Sequence, residues 1–311
     1  MKLNRLNINY YSFGYLGGFV DKSKDKFTVN GLIKFANKHK LGGVEFPIDY
    51  LLKNFNDLSQ LLINNNMDIF ISIENFSVEK IKSIVPYLKK NNIHKARIKM
   101  SNHFGGNRYK IKTFKEEYIS FQKKLISLKS FLIDNHFQLL IENHQDLNSY
   151  DILYIIDLVS SKCIGVNWDI GNSLATGETP TQFYNNVKDH IFNIHIKDYK
   201  ALLKKRSLEL YRCPIGDGNI GLNKILNLLK DDNYQYSMSI ELGAYRKRVS
   251  HIFNENYWNE YSYFNNKHKS EYFNYLNSTV KKSSVIIGDE LVTKKLELLQ
   301  IEKSIHNLKY I

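Results

Sequence analysis

The sequence predicts an α/β protein, a (β/α)8 barrel followed by a C-terminal helical extension. Strand-like and helix-like segments alternate along the chain and supply eight strands, the number that closes such a barrel. Several strands also carry one apolar and one polar face, whereas a strand of an open parallel sheet is apolar on both faces. In a barrel the apolar face meets the helices and the other face lines the interior, so a barrel accounts for both observations.

The chain shows no linker before residue 245. We therefore expect residues 1–249 to form one barrel domain. Residues 250–311 differ in composition, because a Tyr/Asn-rich segment there precedes a helix predicted from Asp289 to Asn307. We expect this helical extension to pack on the barrel or on a second copy of the chain, so the expected assemblies include a homo-oligomer.

Each predicted strand is a short run of apolar or alternating residues. The eight runs are Leu6–Tyr10, Gly43–Pro47, Asp68–Glu74, Ala96–Ser101, Gln138–His144, Ile164–Asp169, Ile191–Asp198 and Tyr236–Glu241. Helices are predicted between them, over residues 28–40, up to the asparagines at 64–66, over 113–135 and 149–160, after 180 and over 222–229. Thr28 and Ser77 each precede a helical run, and we expect both to be N-caps.

The seventh predicted strand, Ile191–Asp198, shows the polar face most clearly. It alternates strictly, so that its isoleucines fall on one face while His195 and Lys197 fall on the other. An edge strand wetted on one side would show the same pattern. Neighbouring strands repeat it with an acid at the matching end, which favours a site inside a barrel.

Four consecutive strands end in side chains that can bind a metal or move a proton. These are Glu142, Asp169, His195 and Glu241. Barrel enzymes place their chemistry at the carboxyl ends of the strands, where these side chains would converge. Carboxylates crowded together out of water repel one another by several kcal/mol, which a divalent cation offsets. Oxygen ligands with one nitrogen suit Mn²⁺, Mg²⁺ or Co²⁺, and Zn²⁺ accepts the same donors.

Other charged residues have a structural interpretation. Glu45, Arg97 and Lys99 fall on inward faces lower in the barrel, where an internal ion-pair network is favoured over catalysis. Glu74 either reaches the mouth of the barrel or caps the following helix. The Gly216-Asp-Gly218 segment is interpreted as a tight loop that caps the site.

Composition limits the function classes. The chain has 311 residues, two cysteines and a formal charge of +13. No apolar run reaches the roughly 18 residues of a membrane-spanning helix, and no apolar core of a signal peptide is seen, so we expect a cytoplasmic protein without membrane partners. The charge indicates either an anionic partner such as nucleic acid or a chain generally rich in lysine. The lysines are spread over predicted helices, which favours the second and predicts no specific nucleic-acid binding.

Five motifs occur in order on the predicted strands and loops. They are Ile141-Glu-Asn-His-Gln145, Trp168-Asp-Ile-Gly-Asn172, His195-Ile-Lys-Asp198, Gly216-Asp-Gly-Asn-Ile220 and Ile240-Glu241. Over residues 1–245 the chain thereby resembles the xylose isomerase-like TIM-barrel superfamily, and within it the sugar phosphate isomerase/epimerase branch. The resemblance implies a single metal held by Glu142, Asp169, His195 and Glu241. It also implies that the two glutamates exchange protons with adjacent carbons of a ketose.

The resemblance predicts a metal-dependent isomerase or epimerase of a sugar, free or phosphorylated, that works through a stabilised enediolate. The residues expected to contact the substrate are His144, Asn172, Lys197 and His103. Ketose 3-epimerases carry a histidine three residues after the metal-binding Asp, where this chain has Asn172, so that subgroup is not assigned.

Three alternatives stay open. One is an inosose-type dehydratase, a lyase that uses the same metal and bases. Another is an abasic-site nuclease similar to endonuclease IV, which needs three metals and further histidines that this chain lacks. The last is a barrel that binds sugar without catalysis, against which the four intact ligands argue.

Overall fold

The computed structural model describes residues 2–20, 27–54, 67–235, 237–243, 245–280 and 294–310. Eight parallel strands close into a barrel in the order β1-β10-β7-β6-β5-β4-β3-β2. They are β1 (Leu6–Asn9), β2 (Gly43–Pro47), β3 (Asp68–Ile73), β4 (Lys95–Ile98), β5 (Gln138–Glu142), β6 (Ile164–Asp169), β7 (Ile191–Ile196) and β10 (Ser237–Ile240). The predicted (β/α)8 barrel is confirmed.

Helices cover the outside of the barrel. They are α1 (Val29–Lys38), α2 (Ile48–Asn54), α3 (Val78–Lys90), α4 (Phe114–Asp134), α5 (Ser149–Val159), α6 (Pro180–Val187) and α7 (Leu222–Asp231). Both expected N-caps are confirmed, because the hydroxyl of Thr28 accepts a hydrogen bond from the Gly31 N–H at 3.0 Å and that of Ser77 accepts one from the Lys80 N–H at 3.2 Å. The helix end expected at Asn64–Asn66 lies outside the described residues.

Within the parts of the chain that the structure describes, no helix is long and apolar enough to cross a bilayer.

Several strands end earlier than the sequence pattern suggests. Strand β4 stops at Ile98 where Ser101 was expected, and β7 stops at Ile196 where Asp198 was expected. Beyond these points side chains replace the sheet as hydrogen-bond partners of the backbone. The Ser101 hydroxyl accepts from the His103 N–H at 3.0 Å, and the Asp198 carboxylate accepts from the Tyr199 N–H at 2.9 Å. Tyr236, expected to begin the eighth strand, lies outside the described residues.

The barrel interior is polar, as the alternation predicts. Asn167 of β6 and Asn193 of β7 are buried and hydrogen-bonded to each other, and Asn193 also accepts from Ser237 of β10 at 2.9 Å. The opposite faces of the same strands supply Trp168 and Ile194 to the core beneath the helices. Because polar side chains point into the barrel and apolar ones point outward, charged side chains at the carboxyl ends of the strands can lie inside the barrel.

A small antiparallel sheet, which the sequence analysis missed, stands beside the mouth of the barrel. It consists of β8 (Tyr199–Leu203), β9 (Leu208–Arg212) and β11 (Arg248–Ser250), in the order β11-β9-β8. The segment before Gly216 was interpreted only as loop, although Leu208-Glu-Leu-Tyr-Arg212 alternates as a strand does.

The Gly216–Gly218 segment is a tight loop, as expected. The Asp198 carboxylate accepts hydrogen bonds from the N–H groups of Gly216 and Gly218, each at 3.0 Å. A Cβ on Gly218 would lie 1.9 Å from Asp198 Oδ1, so this approach requires glycine.

The C-terminal extension carries α8 (Glu255–Asn259), α9 (Asn266–Thr279) and α10 (Lys294–Leu308). Its tyrosines bind the loops that follow the barrel strands: the hydroxyls of Tyr257 and Tyr272 donate to the carbonyls of Ala175 and Leu174, both at 2.7 Å. The expected start of the last helix at Asp289 lies outside the described residues. The extension thus packs on the same end of the barrel that carries the polar strand ends.

Candidate active site

The structure brings four strand-end side chains together. Glu142 ends β5, Asp169 ends β6, His195 lies one residue before the end of β7, and Glu241 follows β10. Each offers one ligand atom, and these atoms all lie within 4.8 Å of one another. All four side chains are buried. We call this group the strand-end cluster.

The parallel register of the sheet produces this convergence. Asp169 pairs with His195 across β6 and β7, and His195 pairs with Ser239 across β7 and β10. Because residues in register on parallel strands point to the same face, their side chains enter the barrel at one level. The Asn143 side chain joins β5 to β6 by accepting from the Asp169 N–H at 2.7 Å and donating to the Asp169 carbonyl at 3.0 Å.

His195 is oriented by a carboxylate from across the barrel. Its Nε2 lies 3.1 Å from both oxygens of Glu45, which is fully buried on β2. This contact makes Nε2 the donor and directs Nδ1 toward the cluster. Nδ1 lies 2.7 Å from Glu241 Oε2, but the two atoms are not aligned as a hydrogen bond. Burial opposes protonation of His195, yet Glu45 and Glu241 raise its pKa well above the usual value.

Asp169 has one satisfied and one unsatisfied oxygen. Its Oδ2 accepts a hydrogen bond from Asn172 Nδ2 at 2.8 Å and another from Lys197 Nζ, whereas Oδ1 is buried with no hydrogen-bond partner. Burial raises the pKa of Asp169 to about 7, although Lys197 acts in the opposite sense. Asn172 therefore orients a strand-end carboxylate from the position where ketose 3-epimerases carry histidine.

Arg97 links Glu142 to the interior acids. Its Nη1 donates a hydrogen bond to Glu142, its Nη2 lies 2.6 Å from Glu74 Oε1, and its Nε lies 3.6 Å from Glu45 Oε1. The interior ion pairs expected for Glu45 and Arg97 are therefore present, but they reach upward into the strand-end cluster. Arg97 and its neighbour Lys99 hold the pKa of Glu74 at about 2 despite burial, which alone would raise it.

Lys197 bridges two acids of the cluster. Its ammonium lies 2.9 Å from Glu241 Oε1 and also contacts Asp169. Burial opposes its charge, but the two carboxylates raise the pKa of Lys197 well above the usual value. Burial likewise works against ionised Glu241, whose pKa Lys197 and His195 hold well below its usual range. Both partners are therefore ionised at neutral pH.

A cavity of about 550 Å³ opens above the cluster. Glu142, Glu241 and three of the residues expected to contact substrate, namely His144, Asn172 and Lys197, line it. His144 Nδ1 is buried without a hydrogen-bond partner, and burial together with nearby Lys99 and Arg97 lowers the pKa of His144 well below its usual value. A neutral imidazole therefore faces this space.

His103 does not line the cavity. Its Nε2 lies 2.7 Å from Glu117 Oε2 on α4, which holds the side chain against that helix. The structure therefore places His103 outside the cavity lining, and its expected contact with substrate stays a prediction.

Sequence reasoning missed other parts of the site. Glu45 was interpreted as interior filling, but its inward position on β2 was a usable signal for a partner of His195. Tyr245, Arg246 and Arg248 line the cavity mouth, and nothing in their local pattern marks them. They reach the mouth because β11 folds back onto β9 of the small sheet.

The segment from residue 35 to residue 260 matches the family model described as a xylose isomerase-like TIM barrel. Among curated proteins, 3-oxo-isoapionate decarboxylase of Pectobacterium atrosepticum is 31% identical over 62 residues, which are 20% of this chain and 22% of that protein. The chain thus spans only about a fifth of that relative's length.

Two solved structures share the fold. The probable 3-DHS dehydratase AsbF of Bacillus anthracis superposes with a TM-score of 0.59 at 13% identity, covering 76% of this chain and 92% of that one. D-psicose 3-epimerase of Clostridium cellulolyticum H10, solved with D-tagatose, gives 0.61 at 10% identity, covering 90% and 100%. At these identities the likeness shows the fold alone.

Proposed function

Because the chain belongs to the xylose isomerase-like TIM barrel family, we propose that it is a metal-dependent isomerase or epimerase of a sugar or sugar derivative. The proposed reaction is proton transfer at a carbon beside the carbonyl of the substrate. The observation that carries this proposal is the strand-end cluster, whose ligand atoms lie within 4.8 Å of one another beneath a cavity large enough for a sugar.

The cluster fits a divalent cation. Asp169 Oδ1 and His195 Nδ1 are buried without hydrogen-bond partners, and both residues belong to the strand-end cluster. Nδ1 of His195 lies 2.7 Å from Glu241 Oε2, and a cation bound between the two atoms would take the place of a proton there. Carboxylate and imidazole donors suit Mn²⁺, Mg²⁺ or Co²⁺, and Zn²⁺ takes the same set. When bound, such a cation would polarise the substrate carbonyl and make the neighbouring C–H more acidic.

Glu142 and Glu241 are the proposed acid/base pair. Both line the cavity, and they come from non-adjacent strands, β5 and β10. One carboxylate takes the proton as the C–H electron pair moves into the new carbon–carbon double bond and the carbonyl pair moves onto oxygen. Return of a proton to the same carbon from the other side gives an epimer, and return to the adjacent carbon gives an isomer.

Lys197 is proposed to hold a substrate oxygen. Its ammonium lines the cavity beside Glu241, and its raised pKa keeps it a hydrogen-bond donor at neutral pH. A charged donor placed where an oxygen gains negative charge stabilises that charge most in a buried site. Asn172 supports the arrangement by holding Asp169 and by accepting from Gln145 Nε2 at 2.9 Å.

A dehydratase is the second candidate, because the same strand-end cluster and the same pair of glutamates would serve it; the fold is shared with the probable 3-DHS dehydratase AsbF. The first step would be the same proton removal. The electron pair would then form the carbon–carbon double bond as the C–O bond to the hydroxyl on the next carbon breaks. A proton from the acid/base pair would go to that hydroxyl, which leaves as water.

Solvent exchange tests the proposal. The manganese-loaded protein, incubated with a panel of ketoses in heavy water, is expected to wash deuterium into the carbon beside the carbonyl, observed by NMR. Glu142→Gln and Glu241→Gln should each reduce kcat by about 10²- to 10⁴-fold, because each removes a general base. Glu209→Gln is the matched control, since Glu209 pairs with Lys247 on the small sheet.

The product then separates the two candidates. An epimer or isomer supports the leading proposal, and a dehydrated keto compound supports the lyase. Turnover without solvent exchange, or near-normal kcat in both glutamine variants, would show that the two-base mechanism is wrong.

A further inference from the structure

The basic side chains of the inner site already have acidic partners. The ion-paired network beneath the cavity contains five carboxylates, three basic side chains and His195. The acids are Glu45, Glu74, Glu142, Asp169 and Glu241, and the bases are Arg97, Lys99 and Lys197. Each of these three bases lies within ion-pair distance of at least one of the acids.

Two further cations line the same cavity. Arg246 and Arg248 lie at its mouth, on the chain that follows Glu241. Among the residues that the structure describes, no carboxylate lies within ion-pair distance of either guanidinium. The positive charge of these two arginines is therefore not paired within the described part of the chain.

Arg248 is held in a fixed orientation. Its backbone belongs to β11, which pairs with β9 through Arg248 and Leu210. Its guanidinium carbon lies 3.5 Å from the centroid of the Phe104 ring, and that ring lies 4.9 Å from the His144 ring on the cavity wall. Stacking on an aromatic face fixes the guanidinium plane while its N–H groups stay available at the edges.

Arg248 also lacks a direct hydrogen-bond or ion-pair partner among the described residues. Burial lowers the pKa of Arg248, although Tyr199 and Glu241 act in the opposite sense. No hydrogen-bond acceptor for its guanidinium occurs among the described residues, in contrast to Arg97 and Arg212, whose guanidiniums donate to Glu142 and to the carbonyl of Gly243. A partly desolvated guanidinium without a counter-charge is a site for an anion.

We propose that the substrate carries an anionic group, a carboxylate or a phosphate, and that Arg248, assisted by Arg246, binds it at the mouth of the cavity. This inference rests on the proposed function in that the rest of the substrate lies over the strand-end cluster. The planar guanidinium accepts two oxygens of either anion side by side, which fixes the substrate's direction as well as its charge class.

Equilibrium binding to the manganese-loaded protein tests the inference with three six-carbon probes. D-fructose is neutral, D-fructose 6-phosphate carries a phosphate, and 5-keto-D-gluconate carries a carboxylate. We expect one of the two anions to bind about 10- to 100-fold more tightly than fructose, the range for a charged hydrogen-bonded pair. The anion that binds more tightly shows whether the anionic group of the substrate is a phosphate or a carboxylate.

Arg248→Gln should remove this preference, so that the anions bind no more tightly than fructose, and should leave the metal content unchanged. Lys247→Gln is the matched control, since Lys247 carries the same charge one residue away and pairs with Glu209 outside the cavity lining. It should keep the preference. Equal affinity for all three probes, or an anion preference that survives Arg248→Gln, would overturn the inference.

The two proposals fail separately. Solvent exchange into a neutral ketose without any preference for anions would refute the anion site and leave the proposed function standing. An anion preference that depends on Arg248, in a protein that exchanges no solvent hydrogen, would support the anion site and refute the proposed reaction.

Discussion

One carboxylate, Glu45, determines how His195 meets the strand-end cluster. Its two oxygens lie 3.1 Å from Nε2, and its own position is fixed by the Ser72 hydroxyl, which donates to it at 2.7 Å. A charged acceptor on the distal nitrogen makes the other nitrogen a better metal ligand. Glu45 therefore acts on the cluster through His195.

Glu45→Gln should weaken divalent metal affinity by about 10- to 100-fold, because the amide keeps the shape but loses the charge that raises the basicity of His195. Titration calorimetry with Mn²⁺ measures this. Glu209→Gln, on the small sheet, should bind metal as the wild type does. Unchanged affinity in Glu45→Gln would show that His195 is not presented to a metal in this way.

Glu178 predicts a pH dependence of stability away from the site. It is fully buried and accepts from the Ser149 N–H at 2.8 Å and from the Ser149 hydroxyl, and burial raises its pKa from 4.5 to about 7. A carboxyl whose pKa is raised by folding stabilises the fold fully below its unfolded pKa, and that stability is lost as pH rises through the folded pKa. The loss therefore falls between about pH 4.5 and 7.

The free energy of unfolding of the wild type relative to Glu178→Gln should fall across this range, because glutamine does not ionise. At about 1.4 kcal/mol per pKa unit, the fall is on the order of 3 kcal/mol. Urea unfolding at a series of pH values measures it. A difference between the two proteins that stays constant with pH would contradict the burial argument.

At the scale of elements, helix α10 braces the loops around the cavity mouth. Glu297, buried on that helix, accepts from the N–H groups of Tyr15 and Leu16 at 2.9 and 3.2 Å, and its Oε2 lies 2.6 Å from the Tyr245 hydroxyl. Tyr15 and Tyr245 line the cavity. One carboxylate thus fixes the first and last loops of the barrel.

Glu297→Gln should lower the free energy of unfolding by about 1–3 kcal/mol. The three donors that bind the two carboxylate oxygens of Glu297 would then have only the single oxygen of an amide to bind. Denaturant unfolding measures the loss, and KM should rise as the mouth loosens. Glu302→Gln on the same helix is the control: Glu302 is exposed and pairs with Lys38 at 3.5 Å, which predicts a change of at most about 0.5 kcal/mol. Equal losses in the two variants would refute a special role for Glu297.

The barrel could be predicted from two local features: the two-residue alternation of apolar and polar side chains, and the acidic residues near the ends of neighbouring strands. The alternation around His195 and the acids at neighbouring strand ends depend on local sequence, so the eight strands and the convergence of Glu142 and Asp169 could be inferred. The partnership of Glu45 with His195 depends on contact across the barrel between residues 150 positions apart. Arg248 reaches the cavity only through the pairing of β11 with β9. Neither contact leaves a local pattern.

At the scale of the whole molecule, the formal charge of the chain is +13, and part of this positive charge lies at the cavity mouth. Many lysines lie on the described helices, as the sequence indicates, but Arg246 and Arg248 concentrate positive charge at the cavity mouth. Clefts lined by one sign of charge attract small ions of the opposite sign. We therefore expect a small anion as the partner of the two arginines, and the absence of specific nucleic-acid binding stays a prediction.

The number of divalent cations per chain tests the central claim most directly. Elemental analysis of protein dialysed against Mn²⁺ should give one ion per chain in the wild type and none in Asp169→Ala or His195→Ala, while Lys247→Gln keeps one ion. Each of the first two variants removes a side chain of the strand-end cluster that has a buried polar atom without a hydrogen-bond partner. No bound metal in the wild type, or three metals per chain as an endonuclease IV-like site requires, would contradict the account.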